Sequence, residues 1–67
     1  MASANAAFRR RQLIADIGTA CRETGITLQR RGEITKKLTG KTELGFCGFA
    51  QLRQVRAAIM REGGLVP

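Results

Sequence analysis

Leu13-Ile14-Ala15-Asp16-Ile17-Gly18-Thr19-Ala20-Cys21 sets Leu13, Ile14, Ile17, Ala20 and Cys21 at spacings of three and four, the pattern of one apolar helix face. Arg9, Arg10, Asp16, Arg22 and Glu23 fall largely elsewhere on the same wheel, so the segment is amphipathic and begins near Phe8. Thr24-Gly25 is expected to end it, because glycine adopts the left-handed conformation that closes a helix C-terminus. Before it, the small residues Met1 to Ala6 carry no apolar anchor; they either fray or extend the helix, with Ser3 or Asn5 as a candidate cap.

Working outward from this helix, Thr27 is a suitable cap for a second helix holding Leu28, Ile34 and Leu38, which are expected to dock on the first helix. Gly32 in its middle costs about 1 kcal/mol relative to Ala. It stops at Thr39-Gly40, with Lys36, Lys37 and Lys41 favoured near the negative end of the helix dipole. In the connector, Gly45 and Gly48 break regular structure, and Leu44 and Phe46 are expected to plug the core. A third helix from about Phe49 sets Leu52, Val55 and Ile59 on one face, and Gly63-Gly64 closes it. The expected fold is all-α: a small three-helix bundle or a helix-turn-helix relative, with residues 1–7 as a flexible N-terminus, 8–62 as a single helical domain and 63–67 as a C-terminal tail.

Composition narrows the function. The chain has 67 residues, enough for one core, and so little buried surface that a homodimer or a complex with a partner is a natural source of extra stability. Twelve Lys and Arg against five Asp and Glu give a formal charge of +7, a field that attracts polyanions. The chain has no His, Tyr or Trp, and no carboxylate pair or nucleophile with an evident activating partner, so no enzymatic role is expected. Cys21 and Cys47 form no CxxC motif and cannot supply the four ligands of a zinc site; neither metal nor cofactor is expected, and both thiols are read as reduced and buried. Gly40-Lys41-Thr42 resembles the end of a phosphate-binding P-loop, but Thr35 stands where the motif needs glycine. With no secretory leader and no membrane-spanning run, a cytoplasmic location is expected, without membrane attachment.

The residues left to carry function are basic. Arg9, Arg10, Arg11, Arg30, Arg31, Lys36, Lys37, Lys41, Arg53 and Arg56 form the expected nucleic-acid surface, with DNA favoured and phosphate contact supplying most of the affinity. In a helix-turn-helix reading, Gln51, Arg53, Gln54 and Arg56 of the third helix would face the bases. Single-stranded nucleic acid is disfavoured, because Phe8, Phe46 and Phe49 are expected in the core rather than on a stacking platform. The competing class is a protein-interaction module that docks on an acidic host or phage protein of replication, recombination or transcription. Its surface would be an exposed patch of Leu44, Phe46, Phe49 and Leu65.

Leu13-Ile14-Ala15 with Ile17, Ala20 and Gly25, then Leu38-Thr39-Gly40-Lys41, then Gln51-Leu52 with Val55, resemble the helical module of the Mu-like phage regulatory protein GemA family. The resemblance spans residues 9–62, and Thr39-Gly40-Lys41 is its distinctive string. The chain departs at Gln29-Arg30-Arg31-Gly32, where the family usually carries an aromatic residue, and at Gly45-Phe46-Cys47-Gly48, which replaces a more polar lead into the third helix. The resemblance implies a phage or prophage accessory regulator that acts by binding, and it supplies no catalytic residues.

Overall fold

The computed structural model describes residues 2–65, with side-chain burial for residues 6–65. Three α-helices follow in order: α1 (Ala2–Thr24), α2 (Leu28–Thr39) and α3 (Phe49–Glu62), with one 3-10 turn (Leu44–Phe46) between α2 and α3. The expected all-α three-helix bundle is therefore present. Its tight connection, Gly25 to Thr27, joins α1 and α2, whereas residues 40–48 separate α2 from α3. That second gap is longer than the three- to four-residue turn of a helix-turn-helix motif.

Each helix end has a local cause. Gly25 at φ +75° lets the Ile26 N–H reach back to the Cys21 carbonyl at 3.0 Å, closing α1. The Thr27 hydroxyl accepts from the Arg30 N–H at 3.1 Å and so caps α2, as its position in the sequence predicts. At the end of α3 the left-handed residue is Gly64 rather than Gly63, and the Leu65 N–H folds back to the Met60 carbonyl at 2.8 Å. The C-terminal tail is thus folded back as far as Leu65; Val66 and Pro67 lie outside the described residues. At the other end α1 is already helical from Ala2, which places Ser3 and Asn5 inside the helix instead of at its cap.

The core is built on α3. Leu52, Val55 and Ile59 are fully buried, and both α1 and α2 pack against the helix that carries them. From α1 come Leu13, Ile17, Ala20 and Cys21; from α2, Ile34; from the connector, Leu44 and Cys47. Burial of each large aliphatic side chain stabilises by roughly 1.5–3 kcal/mol. Thr35 is also fully buried, and its hydroxyl donates to the Arg31 carbonyl at 2.8 Å, so the burial leaves no polar group without a partner.

Four packing expectations are corrected. α2 docks principally on α3, not on α1. Leu28 is 72% exposed and Leu38 is only partly covered, because the buried surface of α2 is centred on Ile34 and Thr35. Leu44 fills the core but Phe46 does not: in a 3-10 turn, residues three apart share a side, so Leu44 and Cys47 point inward together and Phe46 points out. Phe8 and Phe49 are likewise exposed, at 68% and 43%.

Two glycine substitutions test this packing. A Cβ at Gly32 would meet open space within a regular helix, whereas one at Gly63 would collide with Cβ and Cγ2 of Thr24. Thr24 is β-branched and held by its hydroxyl to the Ala20 carbonyl at 2.7 Å, so it has little room to yield. Gly32→Ala is expected to stabilise by up to about 1 kcal/mol and Gly63→Ala to destabilise by about 1–3 kcal/mol, both read from denaturant midpoints.

Candidate nucleic-acid interface

The contacts across α3 fix the helix directions. Arg30 of α2 meets Glu62 and Lys41 meets Gln51, so α2 runs antiparallel to α3. Leu13 shares a surface depression with Phe49, and Ala20 shares another with Met60, so α1 runs parallel to α3. One end of the bundle therefore gathers Arg9 to Arg11, the last turn of α2 with Lys36 and Lys37, Lys41 and the start of α3. Glu43 is the acid at this end, while Glu23, Glu33 and Glu62 lie toward the opposite end with Arg22, Arg30, Arg31 and Arg61. The 3-10 end is the more cationic of the two.

Of the twelve Lys and Arg, Arg30 alone lies within ion-pair distance of a carboxylate among the described residues. It grips Glu62 with Nε at 2.9 Å and Nη2 at 2.6 Å, and its Nη1 meets Glu33 at 3.1 Å. These charge-assisted bonds raise the Arg30 pKa further and lower that of Glu62 below the ordinary carboxylate value. Arg30 is thereby paired within the chain while remaining half exposed. The sequence set it among the ten expected nucleic-acid residues and could not show the contact with Glu62, which lies 32 residues away.

Other members of the expected basic set also have internal duties. Arg10 crosses from α1 to the connector, where its Nε donates to the Cys47 carbonyl at 3.0 Å and its Nη2 to the Gly45 carbonyl. Arg31 is half-buried, with its Nε lacking a partner, and its charge opposes the upward shift that burial imposes on the Cys21 thiol. Lys41 donates to the Gln51 carbonyl oxygen at 3.3 Å, and that same oxygen accepts from the Gly48 N–H at 2.9 Å. Gln51 therefore caps α3 and is not a free base-reading side chain. Cys21 and Cys47 are buried free thiols, as expected.

Arg9, Arg11, Lys36, Lys37 and Arg53 remain exposed, and Arg56 is partly so. Arg53 and Arg56 line a shallow depression between α1 and α3 with Leu13, Asp16, Phe49 and Ala57. Arg9, exposed, lies one helical turn before Leu13 on α1, toward the 3-10 end. The outer face of α3 beside it presents Ala50, Arg53, Gln54 and Ala57 and carries no acid. Lys37 belongs to a different surface, between α2 and α3, with Arg30, Ile34 and Glu62. The structure thus brings Arg53 and Arg56 to one surface, with Arg9 one turn beyond Leu13 on the neighbouring helix, and sets Lys37 of α2 on another.

The apolar patch expected for a protein partner is not assembled. Leu44 is buried, and Leu65 lies at the far end of α3 beside Thr19, Glu23 and Met60. Phe46 and Phe49, three residues apart, are exposed. Among the described residues there is no group of three or more His, Cys, Asp or Glu that could hold a metal, and no helix long and apolar enough to cross a membrane. The chain matches no family model, and no curated protein or solved structure matches it.

Arg10 and Arg9 provide the test of this division of labour. Because Arg10 holds two carbonyls of the connector, Arg10→Ala is expected to destabilise by about 1–3 kcal/mol, whereas Arg9→Ala stays within about 0.5 kcal/mol of the parent. Urea denaturation of the two variants side by side checks this.

Proposed function

We propose that this protein is a non-enzymatic binding protein for nucleic acid, DNA in the first instance, held mainly through phosphate contacts from arginines on the α1–α3 side. The observation that carries the reading is that a chain of net charge +7 leaves every Lys and Arg except Arg30 without a carboxylate partner among the described residues. Unneutralised cations on a small rigid body release condensed counterions from a phosphate backbone when they bind it, and this supplies affinity without sequence information. Arg53 and Arg56 are the central contacts and Arg9 a flanking one, while Arg11, on the opposite side of α1, and Lys36 and Lys37 of α2 are separate auxiliary cations. Of the ten expected residues, this placement leaves out Arg10, Arg30, Arg31 and Lys41. The resemblance of residues 9–62 to the GemA family supports a phage or prophage regulator, acting in the cytoplasm by occupying DNA rather than by chemistry.

A second reading, docking on an acidic host or phage protein, draws on the same cations and on exposed Phe46 and Phe49. It is the less supported one, since Leu44 and Leu65 do not join those rings in a continuous apolar patch.

Binding measured across a salt series separates the cations by role. Arg53→Ala with Arg56→Ala is expected to weaken binding and to flatten the slope of log affinity against log salt by about one for each phosphate that is no longer neutralised. Arg30→Ala leaves that slope nearly unchanged. Asp16, the one carboxylate lining the Arg53–Arg56 depression, gives the opposite sign: Asp16→Asn is expected to tighten binding. Equal weakening by Arg30→Ala and by the Arg53/Arg56 pair would contradict this placement, and affinity indifferent to salt would contradict phosphate binding altogether.

A further inference from the structure

Phe46 combines two features that packing alone does not require. Its side chain is 71% exposed, yet its backbone is among the most firmly held in the connector. Arg10 donates to the carbonyls of Gly45 and Cys47, the residues on either side of it. The Phe46 N–H donates to the Glu43 carbonyl at 3.2 Å, and the Cys47 N–H to the Leu44 carbonyl at 3.1 Å. Beneath the ring's backbone, Leu44 and Cys47 are buried, so this turn is anchored to the core while it presents an aromatic group to water. An exposed phenyl ring on a fixed backbone is preorganised for contact and spends little conformational entropy in making one.

Phe49 lies three residues further on, which limits the Cα separation of the two rings to about 11 Å by chain geometry. It opens α3 and borders the depression that holds Arg53 and Arg56. Phe8 does not belong to this group. It lies two residues before Arg10 on α1, about 200° around the helix, on the side turned away from the connector.

We infer that Phe46 and Phe49 form a base-stacking platform for single-stranded nucleic acid, whose phosphates run past Arg53 and Arg56 along the α1–α3 depression. This rests on the phosphate-binding reading above and specifies the strand state of its ligand. Two exposed rings three residues apart, one of them bordering the depression of Arg53 and Arg56, match the pairing of aromatic faces with a cationic track that sequence-tolerant single-strand binding uses. Bases inside a duplex have their faces occupied by neighbouring pairs and offer nothing for these rings to stack on. An acidic protein could satisfy the arginines, but it would leave the two rings without the wider apolar surroundings that a protein interface core supplies. The surface therefore suits a strand whose bases are free. The expectation that the phenylalanines belong to the core, which counted against single strands, does not hold in the structure.

The test uses the whole chain, an oligothymidylate of about twenty nucleotides and a duplex of equal length at matched salt. The sequence contains no Trp, so Phe46→Trp introduces a single indole. Its fluorescence is expected to be quenched by the oligothymidylate and to change little with the duplex, with single-strand affinity retained. Phe46→Ala is expected to lower affinity for the oligothymidylate by about five- to a hundredfold while leaving the salt slope intact. Phe46 is not part of the core, so this variant keeps its helical circular dichroism; Phe49→Leu removes the second ring while retaining apolar bulk. If both variants bind the oligothymidylate as the parent does, or if the parent prefers the duplex, stacking is overturned while the phosphate reading stands. If the parent binds neither probe at low salt, the phosphate reading fails and this inference fails with it.

Discussion

Leu52, Val55 and Ile59, fully buried on one stripe of α3, are the packing on which the other two helices depend. α1 and α2 meet α3 far more extensively than they meet each other, so the arrangement is a central helix with one neighbour on either side. That geometry divides the surface of α3 into three. One flank faces α2 and holds Glu62 and Ala58, the other faces α1 and holds Phe49, Arg53 and Arg56, and the outer face holds Ala50, Gln54 and Ala57. Deleting any of the three core side chains down to Ala would remove support from both neighbours, at about 2–5 kcal/mol for Leu or Ile, a large fraction of what so small a domain has.

The same division explains the charge distribution. Glu62 projects toward α2 and meets Arg30 there, so the one ion-paired arginine among the described residues lies on the flank away from Arg53 and Arg56. Arg10 is drawn inward to tie the connector to α1, and Gln51 is taken up by capping, with Lys41 beside it. Internal needs thus consume the cations and amides that sit next to backbone groups requiring partners. What they leave outside is a set of arginines near Asp16, whose Oδ1 accepts from the Gln12 amide at 3.3 Å, with Glu23 in the adjoining depression beside Arg56. The proposed ligand surface is the remainder after folding has taken its share.

Features set by local chemistry were legible in the sequence. The apolar spacing of α1 and α3, the Thr27 cap, the glycine terminators at Gly25 and Gly40 and the burial of both cysteines follow from neighbouring residues, and the structure has them all. Features that depend on what another helix covers were not. Leu28 looks like core by its type, but α3 ends opposite Arg30 and leaves no surface to bury it. Phe46 looks like a plug by its size, but the three-residue repeat of the turn sends Leu44 and Cys47 inward and fills the space first. The candidate site shows the same limit. Basic residue types marked the candidates, while the pairing of Arg30 with Glu62, across 32 residues, is set by helix packing.

Unneutralised charge on the folded body is the central claim, and it has a direct signature that needs no ligand. Self-repulsion among unpaired cations opposes compaction, and added ions screen it within a Debye length of about 30 Å at 0.01 M falling to about 10 Å at 0.1 M. The thermal midpoint of the isolated protein, followed from about 0.01 to 0.1 M sodium chloride, is therefore expected to rise. A midpoint that falls across the same range would mean that attractive pairs outweigh the repulsion, and would contradict the account.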